Sequence, residues 1–101
     1  MVYKENINKM FREFRKAGYY AKQDFWCCQS CGWSALTDQQ AEKAIFYHRQ
    51  DKEGAFDGVR LVDSLMLAWS GDGNEICNIL KNYGLKVEWD GSPDKRIAIL
   101  P

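Results

Sequence analysis

The sequence predicts an α+β domain, and three patterns in its 101 residues lead there. Residues 5 to 17 set Ile7, Met10, Phe11 and Phe14 at helical spacing and run into Gly18, a natural C′ residue. Further along, short runs of aromatic and β-branched residues alternate with glycine-bearing turns, which is the signature of strands. No repeat, low-complexity tract or linker breaks the order, so residues 1 to 101 are expected as one domain. That order is αβαββαββ, around an antiparallel or mixed sheet of about five strands with two to three helices.

After the first helix, Tyr19 to Trp26 is aromatic with Lys22 and Asp24 interspersed, which suits a half-exposed strand leading into cysteines. Thr37 with Gln40 forms a capping-box pattern for a short helix reaching about Ala44. Ala44 to Gln50 is expected as a second strand, with Phe46 and His48 on one face and Ile45, Tyr47 and Arg49 on the other. Residues 51 to 58 are charged and glycine-bearing and predict a loop or a single short turn. Val59 to Ser70 predicts a third strand with a bulge near Asp63, in preference to the buried helix that the pattern alone also allows. Gly71-Asp72-Gly73-Asn74 predicts a turn that also supplies the N-cap of a helix over residues 75 to 83, with Ile76, Ile79, Leu80 and Tyr83 as its stripe and Gly84 as its end. Leu85 to Trp89 and Arg96 to Leu100 predict a terminal hairpin about Gly91 and Pro93.

Composition narrows the function classes. Apolar residues make up 46% and aromatics number 14, four of them Trp, which is ample for a core. Fourteen basic groups balance fourteen acidic ones, so no global field draws in nucleic acid or an anionic membrane. Residues 1 to 24 do carry six basic groups against three acids, which predicts a modestly basic face on the first helix. The start lacks the apolar core of a signal peptide, and no apolar run nears the ~20 residues that span a bilayer, so a cytosolic protein is expected.

In a reducing compartment four cysteines do not read as a disulfide framework. Cys28-Gln29-Ser30-Cys31-Gly32 has the form of a zinc knuckle, two thiolates three positions apart gripping one ion. A redox pair shares that spacing but calls for a helix opened by the motif, and Gly32-Trp33-Ser34 predicts none. A closed structural zinc site takes four Cys or His donors. His48, the only histidine, follows Cys31 by 17 positions and would reach the knuckle if the two strands paired antiparallel. Cys27 is the leading fourth ligand, with Cys77 or Asp51 as alternatives. The expected ligands of one structural zinc ion are therefore Cys27, Cys28, Cys31 and His48.

The sequence lacks the usual catalytic patterns. It has no His-Glu-x-x-His, no deaminase motif and no phosphate loop, and its one histidine is already assigned to metal. A non-catalytic module that binds a protein partner is the leading expectation, since four Trp cannot all be buried in so small a domain. A zinc-dependent nucleic-acid-binding regulator is the alternative, and a small thiol or redox enzyme using Cys28 and Cys31 is the third.

Ala17-Gly18-Tyr19, the Cys27–Gly32 turn, Phe46-Tyr47-His48-Arg49-Gln50-Asp51 and Val87-Glu88-Trp89-Asp90-Gly91 together resemble a family of small bacterial and phage proteins of unknown function. That resemblance implies that His48 and the knuckle act together. In type, the small size, zinc turn and lack of catalytic residues also look like the zinc-containing phage anti-CRISPR proteins directed at Cas9. This second likeness implies a protein partner such as a CRISPR effector nuclease. A charge-balanced chain would then act by occupying a protein surface and not by mimicking DNA.

Overall fold

Helix α1 (Lys4–Lys16) forms where its apolar spacing predicts, in a computed structural model that describes residues 2–101. Ile7, Met10, Phe11 and Phe14 are its buried face. The helix closes with a Schellman motif: Tyr19 N–H donates to Phe14 O at 2.9 Å and Gly18 N–H to Arg15 O at 3.1 Å, with Gly18 at φ +95°. Strand β1 (Tyr20–Lys22) follows, then α2 (Gln29–Ser34), α3 (Asp38–Ala41) and β2 (Ala44–Phe46). Next come α4 (Arg49–Ala55), the short strands β3 (Phe56–Asp57) and β4 (Arg60–Leu61), and β5 (Leu65–Trp69). The chain ends with α5 (Gly73–Asn82), β6 (Lys86–Glu88) and β7 (Ile97–Leu100).

Five strands form one mixed sheet in the order β1-β2-β5-β7-β6, and β3 pairs with β4 in a separate hairpin. Only β1 and β2 are parallel, with Tyr20 opposite Ala44 and Lys22 opposite Phe46; the other pairs are antiparallel. One sheet face carries Ile45, Tyr47, Leu65, Leu67, Ile97 and Ile99 into the core, where Phe11 and Phe14 of α1 and Ile76 and Leu80 of α5 meet them. Burying each such side chain is worth about 1.5–3 kcal/mol, and this layer holds the fold. On the opposite face Phe46 lies beneath α2, its ring 5.0 Å from that of Trp33 and 5.4 Å from that of Phe25. Phe46 and its neighbours Ile45 and Tyr47 thus divide between the faces as their alternation predicts.

The expected α+β class, the mixed sheet, an N-cap for α5 within the turn at 71–74 and the terminal hairpin all appear, the cap being Asp72. Several local expectations do not. The first strand stops at Lys22, because Asp24 (φ +50°) and Trp26 (φ +64°) turn the chain through the left-handed region. The second strand stops at Phe46, and α4, capped by His48, takes in most of the 51–58 segment expected as a loop or a single short turn. The long third strand is broken between Leu61 and Leu65, where Asp63 Oδ1 accepts the Ser64 N–H at 2.7 Å and ends the pairing. Helices among the described residues number five, not two or three, because the cysteine motif and residues 49 to 55 are both helical. Tyr83 is 52% exposed and not part of the α5 stripe, since it is the C-cap at which the helix has already turned.

The parallel pairing of β1 with β2 reverses the antiparallel arrangement expected for them. Twenty-one residues, 23 to 43, separate the two strands and hold α2 and α3. A crossover of that length is what a parallel pair requires.

Candidate metal centre

The two segments that leave β1 and β2 run side by side at one end of the sheet. Phe25 N–H donates to Tyr47 O at 2.9 Å, and Arg49 N–H to Trp26 O at 3.0 Å. Immediately after the left-handed turn at Trp26 the chain presents Cys27, then Cys28 as the extended N-cap of α2 (φ −151°, ψ 169°). Cys31 is in the first turn of that helix, so three thiols converge from five consecutive residues. Their sulfurs all lie within 4.8 Å of one another, and Cys27 Sγ is 3.7 Å from Cys31 Sγ. Cys27 and Cys31 are exposed and Cys28 is half-buried.

The three thiols do not share protons evenly. The Cys31 amide, then the Cys31 thiol, hold Cys28 below the ordinary thiol range. Cys31 is pushed up to about 11 by side-chain hydrogen bonding with Cys28 and then Cys27 and by the charges of both. Crowding thiols in this way penalises three negative charges at one point unless a cation neutralises them. Thiolates are the form that ligates soft and borderline metals.

His48 is not among the donors that converge. Among the described residues, the only ligand atoms that converge here are the three sulfurs. The His48 ring caps α4: Nδ1 accepts the Asp51 N–H at 3.3 Å and Nε2 lies 3.1 Å from Asp51 Oδ2. Arg96, just before β7, closes this group with Nη1 at 2.9 and 3.1 Å from the two Asp51 oxygens and 3.4 Å from His48 Nε2. The physical reason is local. A residue with a ring acceptor before a helix, followed three positions later by Asp, makes a reciprocal capping box, and His48-x-x-Asp51 does so. Asp51, an alternative fourth ligand by sequence, is held by Arg96 in the same network. Cys77, the other alternative, is buried on α5 in the core, where burial pushes its thiol up.

Gly32 positions α2 by close packing and not by turn geometry. A Cβ there would lie 2.6 Å from Phe46 Cε2, so only glycine lets the helix lie directly on the Phe46 ring. Sequence reasoning missed this contact and the helix itself. The alternation that puts Phe46 on the face opposite the core was the available signal, since a buried Phe there needs a covering element. Asp24 was also missed. Its carboxylate lies between Lys52 Nζ at 3.3 Å and Arg49 Nε at 3.7 Å, tying the β1 exit to α4.

No helix among the described residues is long and apolar enough to cross a membrane. Neither the curated proteins nor the solved structures contain a match to this chain. Residues 4–101 match a family described as Domain of unknown function (DUF6891). Since that match takes in α1 through β7 and the whole cysteine cluster, the chain belongs to the DUF6891 family.

Proposed function

We propose that this protein is a zinc-binding, non-catalytic protein-interaction domain in which Cys27, Cys28 and Cys31 hold one zinc ion as thiolates. The observation that carries the reading is the spacing of the sulfurs. A tetrahedral zinc site with Zn–S bonds of ~2.3 Å has S···S edges of about 3.8 Å. The Cys27 and Cys31 sulfurs already stand 3.7 Å apart. Zinc is the borderline-soft ion such a set takes in a reducing cytosol, where its thiols stay available.

Interaction and not catalysis is favoured by how the neighbouring acid and base groups are used. Asp24 is held by Lys52 and Arg49, and Asp51 and His48 are bound to each other and to Arg96, so each already has a structural task. Trp26, 55% exposed and adjacent to Cys27, is the kind of rigid aromatic that anchors a protein interface. The balanced charge supports a protein partner over nucleic acid. A defence nuclease such as Cas9 enters only through the resemblance in type to phage inhibitors.

Metal analysis of protein purified under reducing conditions tests the reading. One zinc per chain is expected, with three sulfurs near 2.3 Å in the X-ray absorption spectrum. Cys28→Ser and Cys31→Ser should each abolish stoichiometric binding. Protein that takes up no zinc when it is supplied in equimolar amount refutes it.

One observation favours a second reading, a thiol–disulfide redox domain: Cys28-x-x-Cys31 opens a helix after a strand-derived segment. That reading requires a Cys28–Cys31 or Cys27–Cys31 disulfide that forms reversibly, with loss of two protons and two electrons to a thiol–disulfide buffer. Zinc-protected thiols that resist oxidation until chelator is added would exclude it.

A further inference from the structure

Three thiolates leave a tetrahedral ion one donor short, and the intrachain candidates for the fourth are occupied. The His48 ring nitrogens face the Asp51 N–H, the Asp51 carboxylate and Arg96. Asp51 is held by Arg96, and Cys77 is buried between α5 and the sheet. Asp24 is flanked by two cations. Meanwhile Cys27 and Cys31 are exposed, so an ion bound between the sulfurs faces outward.

We infer that the metal held by Cys27, Cys28 and Cys31 keeps one coordination position directed away from the fold, and that this position takes a soft side-chain donor, a thiolate or imidazole, from a partner protein. The inference rests on the metal reading of the site and specifies what that site binds. A closed structural zinc has no such position, whereas an open one exchanges its fourth ligand. The exchange is simple in balance: a coordinated water leaves, the incoming imidazole or thiol takes its place, and a thiol gives its proton to solvent. A second copy of this chain is a poor source, because its three exposed thiols serve its own ion and its remaining described donors, His48 and Cys77, are buried. Trp26 beside the cluster gives the partner an apolar contact next to the coordinate bond, which favours a protein donor over a free small molecule.

The experiment uses the full chain loaded with cobalt(II) in place of zinc, titrated with imidazole and separately with 2-mercaptoethanol. Each is expected to shift the cobalt d–d bands saturably, and the thiol to add thiolate-to-cobalt charge-transfer intensity. The zinc form should change from three sulfurs and one oxygen to three sulfurs and one nitrogen on adding imidazole. His48→Gln and Cys77→Ala should titrate like the parent, and the loaded protein should sediment as a monomer. Spectra indifferent to both probes, with four protein donors already on the ion, would overturn the inference while leaving the metal site standing. Metal-dependent dimerisation would overturn the assignment of the donor to a different protein. Failure to bind cobalt or zinc at all would overturn the metal reading and this inference together.

Discussion

Replacing Gly32 with alanine sets two effects of opposite sign against each other. In a helix interior Ala is favoured over Gly by about 1 kcal/mol, so a surface position would gain stability. Gly32 is buried, and the added Cβ would come 2.6 Å from Cε2 and 2.9 Å from Cζ of Phe46. That ring has no room to retreat, being itself buried and boxed in by Phe25 and Trp33 at centroid distances of 5.4 and 5.0 Å. Overpacking of this kind costs about 1–3 kcal/mol, and a contact below 3 Å onto a confined ring belongs at the upper end. After the propensity gain, a net loss of about 1–2 kcal/mol is expected. For a domain of this size that lowers Tm by about 5–15 °C. The strain relaxes by lifting α2, which carries Cys31 and is capped by Cys28, so zinc affinity should fall as well. Circular-dichroism melts of the metal-free protein and a competitive zinc titration read the two effects separately. Phe46→Leu placed on Gly32→Ala should recover part of both, giving a coupling energy of opposite sign to the single losses. A Gly32→Ala protein as stable as the parent, with unchanged zinc affinity, would refute the reasoning.

Arg96→Met leaves the Asp51 carboxylate, only 9% exposed, without its cation. Breaking a buried pair costs about 3–5 kcal/mol, and the 28% exposure of Arg96 admits enough water to reduce this to about 2–3 kcal/mol, measurable as a lower urea midpoint. His48→Ala removes the acceptor of the Asp51 N–H and should cost about 1 kcal/mol of stability while leaving metal stoichiometry unchanged; loss of the metal would return His48 to the ligand set. Because Cys28 lies below the ordinary thiol range and Cys31 is pushed up to about 11, alkylation of the metal-free protein should label Cys28 before Cys31 as pH rises, which peptide mass spectrometry resolves. The linked stability follows with opposite signs. The Cys28 contribution is present above the ordinary thiol pKa and lost as pH falls through its lowered value, whereas that of Cys31 is present below the ordinary value and lost as pH rises towards 11.

The parts of the fold legible in the sequence are those governed by neighbours along the chain. Ile7, Met10, Phe11 and Phe14 specify the inner face of α1, and Gly18 specifies its end through a φ that only glycine adopts freely. Thr37 with Gln40, and Asp72 before α5, declare helix starts by hydrogen bonds within three residues. The clustering of Cys27, Cys28 and Cys31 was equally local, since residues within five positions have few ways to stay apart.

His48 shows where that reasoning stops. Its ring had two credible destinations, the thiols across the strand ends and the helix start three residues ahead. The ring is engaged at the nearer one, where Asp51 bonds to it from three residues ahead without long-range ordering, and Arg96, 48 positions away, closes the group once the fold has formed.

By itself the sequence determined the α+β class, the two amphipathic helices, the terminal hairpin and the gathering of three thiols, all of which depend on short-range spacing and backbone preference. Tertiary structure alone decided that β1 and β2 run parallel, that Phe46 receives α2 through Gly32, and that Arg96 meets Asp51 from 45 positions away. Those outcomes turn on which distant surfaces pack together, and no pattern of adjacent residues encodes the shape of the space left between them.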